Sequence, residues 1–184
     1  MKKKIIVTGG AGFIGSSLID KLLSKNIYKI YCIDNLSTGR LEFLTDALKN
    51  KNFKFINDDL SSINKSISYF KNTEIIFHLA ALADVKKSYQ EREKHYENNI
   101  KITQNIIELA IKNKIKRIFF SSTASVYGNT KNIPTKENDN FPIQNSFYAA
   151  AKLSSEALLT ALGESHNIKI SILRLVSVMG PRYT

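Results

Sequence analysis

The stretch Ile5-Ile6-Val7-Thr8-Gly9-Gly10-Ala11-Gly12-Phe13-Ile14-Gly15 decides how the rest of the chain is read. It opens as an apolar run of strand length and passes into Ile14–Ser24, where apolar residues recur at spacings of three and four, the mark of an amphipathic helix. Between the two lies Gly-x-x-Gly-x-x-Gly. In a strand-to-helix turn the glycines act differently. Gly9 permits the tight turn, Gly12 removes the Cβ that would block a pyrophosphate, and Gly15 lets the helix pack closely on the sheet. The unpaired N–H groups at the helix start attract anionic oxygens. An ordinary glycine turn is the bland alternative, and the strand-to-helix context argues against it.

Outward from this turn, apolar runs keep alternating with helical segments. Strands are expected at about 3–8, 29–33, 53–57, 74–78, 116–121 and 168–174, with helices at Ile14–Ser24, Arg40–Leu48, Ser62–Phe70, Tyr96–Ile111 and Tyr148–Glu164. Such alternation argues for parallel strands joined by right-handed crossovers. The expected fold is therefore α/β, a Rossmann-type doubly wound sheet in the order 3-2-1-4-5-6 with helices on both faces. One long polar stretch, about 127–147, contains Pro134 and Pro142 and fits neither a buried helix nor a strand.

The 184 residues carry 27 Lys and Arg against 16 Asp and Glu, a formal charge of +11, with 43% apolar residues and only 3 Pro and 8 Gly. This excludes disorder as the main state. The single cysteine, Cys32, excludes an internal disulfide framework, lies in the apolar run Ile30-Tyr31-Cys32-Ile33 and fits a reducing cytoplasm. Lysines outnumber arginines 22 to 5 and are scattered, which suits solvated faces better than a nucleic-acid surface, so no nucleic-acid partner is expected. No signal peptide is read from Met1-Lys2-Lys3-Lys4, because Gly9 and Gly10 interrupt the apolar run. No apolar stretch approaches the roughly 18 residues of a membrane span.

Asp34 ends the second expected strand, where a carboxylate can accept both ribose hydroxyls of an adenosine, favouring NAD over NADP. It reads alternatively as a turn residue, and Arg40 could partly offset repulsion of a 2′-phosphate. Asp58 and Asp59, after the third strand, also read as turn residues. Tyr148 and Lys152 stand i, i+4 at a helix start, so an ammonium beside a phenol would lower the phenol's pKa toward general-base use. Such a pair also occurs as a plain solvated one. Upstream, Ser121 to Gly128 follows the fifth strand at the edge where open α/β sheets bind ligands, although Ser and Thr there often serve turns.

These motifs together resemble the extended short-chain dehydrogenase/reductase family, in its NAD-dependent nucleotide-sugar epimerase/dehydratase branch. The matching stretches are TGGAGFIG (8–15), DNLSTG (34–39), DDL (58–60), HLAA (78–81), NN (98–99), SSTASVYG (121–128), YAAAK (148–152) and LRLVSVMGPR (173–182). By position the resemblance implies Thr123, Tyr148 and Lys152 as catalytic: a hydroxyl bonding the sugar's reacting oxygen, the acid/base, and its ribose-binding partner. It implies Gly9, Gly12, Phe13, Ile14 and Gly15 at the pyrophosphate of NAD, and Asp34 and Asn35 at the adenosine ribose. Asp59 and Leu60 would meet the adenine, Leu79, Ala80 and Ala81 the middle of the cofactor, and Asn98 its neighbourhood. No metal is expected. The implied reaction removes hydride from carbon 4 of a nucleotide sugar such as a UDP-hexose while Tyr148 takes the hydroxyl proton. Hydride returned to the other face of the keto-sugar completes an epimerisation.

Three departures bear on substrate and reaction. Ala124-Ser125 stand where 4,6-dehydratases of the family carry an Asp-Glu pair, which disfavours dehydration; that reaction, a reductase, or an inactive dinucleotide-binding fragment remain the alternatives. Ser177 replaces an Asn that commonly contacts the nucleotide sugar, and Val176 replaces a Phe. Family members continue well beyond position 184, so the resemblance implies that residues 1–184 form the dinucleotide-binding domain and that most of the smaller substrate lobe is absent. The family commonly forms homodimers through two paired helices. The stripe Ile100, Ile107, Ile111, Leu153 and Leu158 fits that use or packing on the sheet.

Overall fold

The computed structural model describes residues 2–62, 66–130, 133–138 and 143–183. Six parallel strands, β1 (Lys3–Thr8), β2 (Tyr28–Asp34), β3 (Phe53–Asn57), β4 (Ile75–His78), β5 (Arg117–Thr123) and β6 (Lys169–Leu175), form one sheet in the expected order β3-β2-β1-β4-β5-β6. Alternation along β1 sends its side chains to two cores. Ile6 joins Ile33, Ile76, Ile118 and Phe120 on one face, while Ile5 and Val7 join Ile30 and Cys32 on the other. The second core is closed by Ile19 of α1 (Phe13–Ser24) and by Leu44 and Ala47 around the short α2 (Thr45–Leu48). The first is closed by Ile102, Ile106 and Leu109 of α4 (Arg92–Lys112) and Leu159 and Leu162 of α5 (Phe147–His166). The short α3 (Val85–Gln90) precedes α4 and starts at Asp84, whose carboxylate accepts the Lys87 amide at 3.0 Å.

Several expected boundaries are corrected. Arg40–Leu48 is a 3₁₀ turn at Leu41–Leu44 followed by one α-turn, not one amphipathic helix. The third crossover is not the expected α-helix Ser62–Phe70: its described parts are 3₁₀ turns at Leu60–Ser62 and Ile67–Phe70, and residues 63–65 lie outside the described residues. The chain here instead spends its polar groups on local bonds: Asp58 accepts the Ser66 amide at 2.7 Å and Asp59 the Ser61 amide at 2.8 Å. The helix expected from Tyr96 begins at Arg92, and β5 runs two residues past its expected end, to Thr123. Of the apolar stripe, Ile107 and Ile111 pack on the first core, whereas Ile100, Leu153 and Leu158 are half-buried and belong to neither core. Tyr127 ends a 3₁₀ turn that begins at Ala124, and the described residues between it and α5 form no helix or strand; Pro142 lies outside the described residues. The ends of this segment are tied together by Gln144 donating to the Val126 carbonyl at 2.7 Å and Asn145 to Asn129 at 3.1 Å. Ser146 then caps α5, its hydroxyl accepting the Ala149 amide at 3.1 Å. Among the described residues no helix is long and apolar enough to cross a membrane.

Candidate active site

The sheet order reverses between β1 and β4, and there the carboxyl ends of the strands open into a crevice of about 870 Å³. Every candidate site residue read from the sequence lines it: Gly9, Gly12, Phe13, Ile14, Gly15, Asp34, Asn35, Asp59, Leu60, Leu79, Ala80, Ala81, Asn98, Thr123, Tyr148, Lys152 and Ser177. Gly9 adopts φ +66°, and a Cβ there would sit 2.7 Å from the Ala80 amide nitrogen, so this turn and the end of β4 touch backbone to backbone. A Cβ at Gly15 would lie 2.4 Å from the Gly9 carbonyl oxygen, so Gly15 serves close packing of α1 on the turn rather than on the sheet. At Gly12 a Cβ would meet only that carbonyl, at 3.3 Å, and otherwise project into the crevice. The first turn of α1 has no side-chain cap. Room for close backbone approach beside unpaired N–H groups fits a pyrophosphate.

At the adenosine end, Asp34 is both the turn residue and the candidate ribose ligand. Its carboxylate accepts the Ala11 amide at 2.9 Å and the Leu36 amide at 2.8 Å, one bond on each oxygen, leaving lone pairs for two further donors. Burial raises its pKa against the opposing effect of those two bonds. Gly39 lets the following segment pass close by, since a Cβ there would lie 2.9 Å from an Asp34 oxygen. The exposed Arg40 side chain bonds Glu42 at 3.4 Å and lies over the Phe43 ring rather than on Asp34. Asn35 donates to Asp59 at 3.1 Å. Burial would raise the Asp59 pKa, but bonds from Ser61 and Asn35 outweigh it and hold it low.

The middle of the crevice rests on a buried polar chain that the sequence pattern does not reveal. The Thr8 hydroxyl accepts the amides of Leu79 and Ala80, each at 3.2 Å, which fills both its lone pairs. Its hydrogen must therefore go to His78 Nδ1, 2.9 Å away, and His78 carries its proton on Nε2, donating to Thr103 at 3.3 Å. Thr103 continues the chain to Ser155 of α5 at 3.1 Å. Complete burial, and then the charge of Lys152, hold the His78 pKa down to about 3. Asn98 faces the crevice, while its neighbour Asn99 is buried and grips the Leu82 backbone by accepting its amide at 2.8 Å and donating to its carbonyl at 3.1 Å.

At the catalytic end, Thr123 closes β5 and its hydroxyl lies with Tyr148 in the lining of the crevice. Ser125, also missed, bonds the same hydroxyl through its amide at 3.1 Å and its side chain at 3.2 Å. Lys152 is buried one helical turn after Tyr148. It donates to the Ser121 carbonyl at 2.7 Å and lies 4.6 Å above the Phe120 ring. Burial lowers its pKa to about 7, with Glu156 opposing. The expected lowering of the Tyr148 pKa is not what this arrangement produces: burial raises it, the nearby Thr123 hydroxyl offsets part, and the Lys152 ammonium points to Ser121 instead. The crevice's carboxylates, Asp34, Asp58 and Asp59, all lie at its adenosine end. Among the described residues no three of His, Cys, Asp or Glu converge to hold a metal ion.

The profile of the NAD dependent epimerase/dehydratase family matches residues 5–184. An uncharacterized UDP-glucose epimerase of Bacillus subtilis is 34% identical over 97% of this chain and 58% of its own length. The solved UDP-N-acetylglucosamine 4-epimerase of Methanobrevibacter ruminantium, a complex with UDP-N-acetylmuramic acid, superposes with a TM-score of 0.91 at 39% identity. It is matched over 99% of this chain and 57% of its own. A UDP-glucuronic acid 4-epimerase of Bacillus cereus, solved with its sugar nucleotide and NAD, gives 0.89 at 33% identity over 97% and 58%. Other relatives include a dTDP-D-glucose 4,6-dehydratase and a sugar-nucleotide decarboxylase. The chain thus spans a little over half the length of these relatives, and by sequence and fold it belongs to the NAD-dependent epimerase/dehydratase family of nucleotide-sugar enzymes.

Proposed function

We propose that this chain is the dinucleotide-binding part of an NAD-dependent nucleotide-sugar 4-epimerase acting on a UDP-hexose. The observation that carries the reading is that Thr123, Tyr148 and Lys152 line the same crevice as the glycine turn and Asp34. Bound NAD supplies the acceptor, and after reduction the donor, of a hydride. Tyr148 takes the proton of the sugar's 4-hydroxyl and later returns it, while Thr123 orients that oxygen. Lys152 binds the ribose beside them, and Ser177 meets the sugar nucleotide at the crevice mouth. Among the described residues the catalytic end offers hydroxyls and an ammonium but no carboxylate, which favours epimerisation over elimination of water, a step that needs its own acid and base.

Calorimetric titration tests this. NAD is expected to bind at least tenfold more tightly than NADP, and a UDP-hexose to bind the NAD complex. Failure of a folded sample to bind either dinucleotide overturns the reading, and a stable 4-keto-6-deoxy sugar product would transfer it to the dehydratases.

A further inference from the structure

We propose that Glu156 is a positioning residue for Lys152, its buried carboxylate pinning the strand end from which the lysine is held and placing a negative charge one helical turn behind it. The inference rests on the active-site reading above. Tyr148, Lys152 and Glu156 recur every four residues on α5 and so share one face of that helix. Glu156 is 5% exposed, and a carboxylate so buried needs partners. It has two: the Ser122 hydroxyl donates to it, and Arg174 of β6 grips it with Nη2 at 2.8 Å and Nε at 3.1 Å.

Ser122 follows the residue that holds the catalytic lysine, since the Ser121 carbonyl takes the Lys152 ammonium. Two consecutive residues of β5, Ser121 and Ser122, thus bond two consecutive turns of α5 through Lys152 and Glu156, and Glu156 is the outer of these fastenings. Arg174 is fixed in turn by donating to the Glu137 carbonyl at 3.1 Å and by lying over the Tyr127 ring. The ionisable groups around Lys152 are Tyr148 and Glu156 on α5, neutral His78 on β4, and Arg174 on β6 behind Glu156; β5 contributes only the Phe120 ring and the Ser121 carbonyl. Among the described residues Glu156 is therefore the carboxylate placed to keep the buried ammonium charged, and Arg174 moderates it.

The test follows the Lys152 side chain by NMR titration, its signal assigned by loss in Lys152→Met. Glu156→Gln keeps the shape and an acceptor for Ser122 but removes the charge, and should lower the Lys152 midpoint by about one pH unit. Arg174→Lys keeps a cation on the carboxylate and should leave that midpoint where it is. A fall in Glu156→Gln without one in Arg174→Lys supports the proposal, because loss of the carboxylate's charge is what separates the two variants. An unchanged midpoint in folded Glu156→Gln overturns it. If Glu156→Gln does not fold, Glu156→Met combined with Arg174→Met, which replaces the buried pair by apolar side chains, decides in the same way. NAD titration of the same samples separates the two readings: a fall of the lysine midpoint in a protein that never binds NAD would sink the proposed function and leave this inference standing.

Discussion

Alanine at Gly9 and alanine at Gly12 should fail in different ways, although both positions belong to one turn. At Gly9 the backbone sits at φ +66°, which costs an alanine about 1–2 kcal/mol. The new Cβ would also lie 2.7 to 2.8 Å from Ala80 and Leu79 backbone atoms, where no flexible side chain can yield. Overlap of that kind adds about 1–3 kcal/mol, for a total of about 2–5 kcal/mol. With a urea slope of about 2–3 kcal/mol per molar, the unfolding midpoint should fall by about 1–2 M. Gly12 has an ordinary extended conformation, φ −78° and ψ 174°, and its Cβ would meet a single atom at 3.3 Å. Stability there should change by less than about 1 kcal/mol. The methyl group would stand where the pyrophosphate approaches, so NAD affinity should fall at least tenfold, about 1.4 kcal/mol. Urea denaturation followed by calorimetry on both variants checks the pair. A Gly9→Ala protein as stable as the parent, or a Gly12→Ala protein that binds NAD normally, would refute the reasoning.

Two further outcomes follow from buried groups. His78 titrates near 3 when folded and near 6.5 when unfolded, so between these values the unfolded chain holds more protons and stability falls as pH drops, by up to about 1.4 kcal/mol per pH unit. The urea midpoint of the parent should therefore fall more between pH 7 and pH 4.5 than that of His78→Gln. Burial, and then the Asp34 charge, push the Cys32 thiol well up, so a thiol-specific reagent at pH 8 should label it only after denaturant is added; prompt labelling of the folded protein would contradict that packing.

The strand order and the crevice lining were legible because both depend on local signals: apolar runs of strand length, a glycine turn and motifs placed at strand ends. What was hidden depends on distance or on weak periodicity. Thr8, His78, Thr103 and Ser155 are bonded across separations of 70, 25 and 52 residues, and nothing in their neighbourhoods announces a partner. α3 escaped because Val85 to Gln90 has no apolar stripe, although Asp84 is a residue type that caps helix starts. Asn98 and Asn99 are adjacent, and only helix phase decides which faces the crevice and which holds Leu82. Gly39 shows a limit of motif reading, because its role beside Asp34 is a matter of steric clearance. The third crossover misled because apolar residues at helical spacing also occur in successive tight turns held by Asp58 and Asp59.

The reversal of strand order that opens the crevice also has a kinetic side. β1 must find β4 across a separation of 70 residues, Ile5 beside Ile75, before Gly9 can meet Ala80 or Thr8 can meet His78. Such pairing carries a loop-closure cost that local hairpins and helices do not, which makes it a slow event in folding. The dinucleotide cradle is consequently a late product of folding, absent from any partly folded chain in which only β1, α1, β2 and β3 have assembled. A ligand that needs the finished cradle binds the native state alone. At a hundredfold excess over its Kd, such a ligand adds about 2.7 kcal/mol to the stability of the whole sheet.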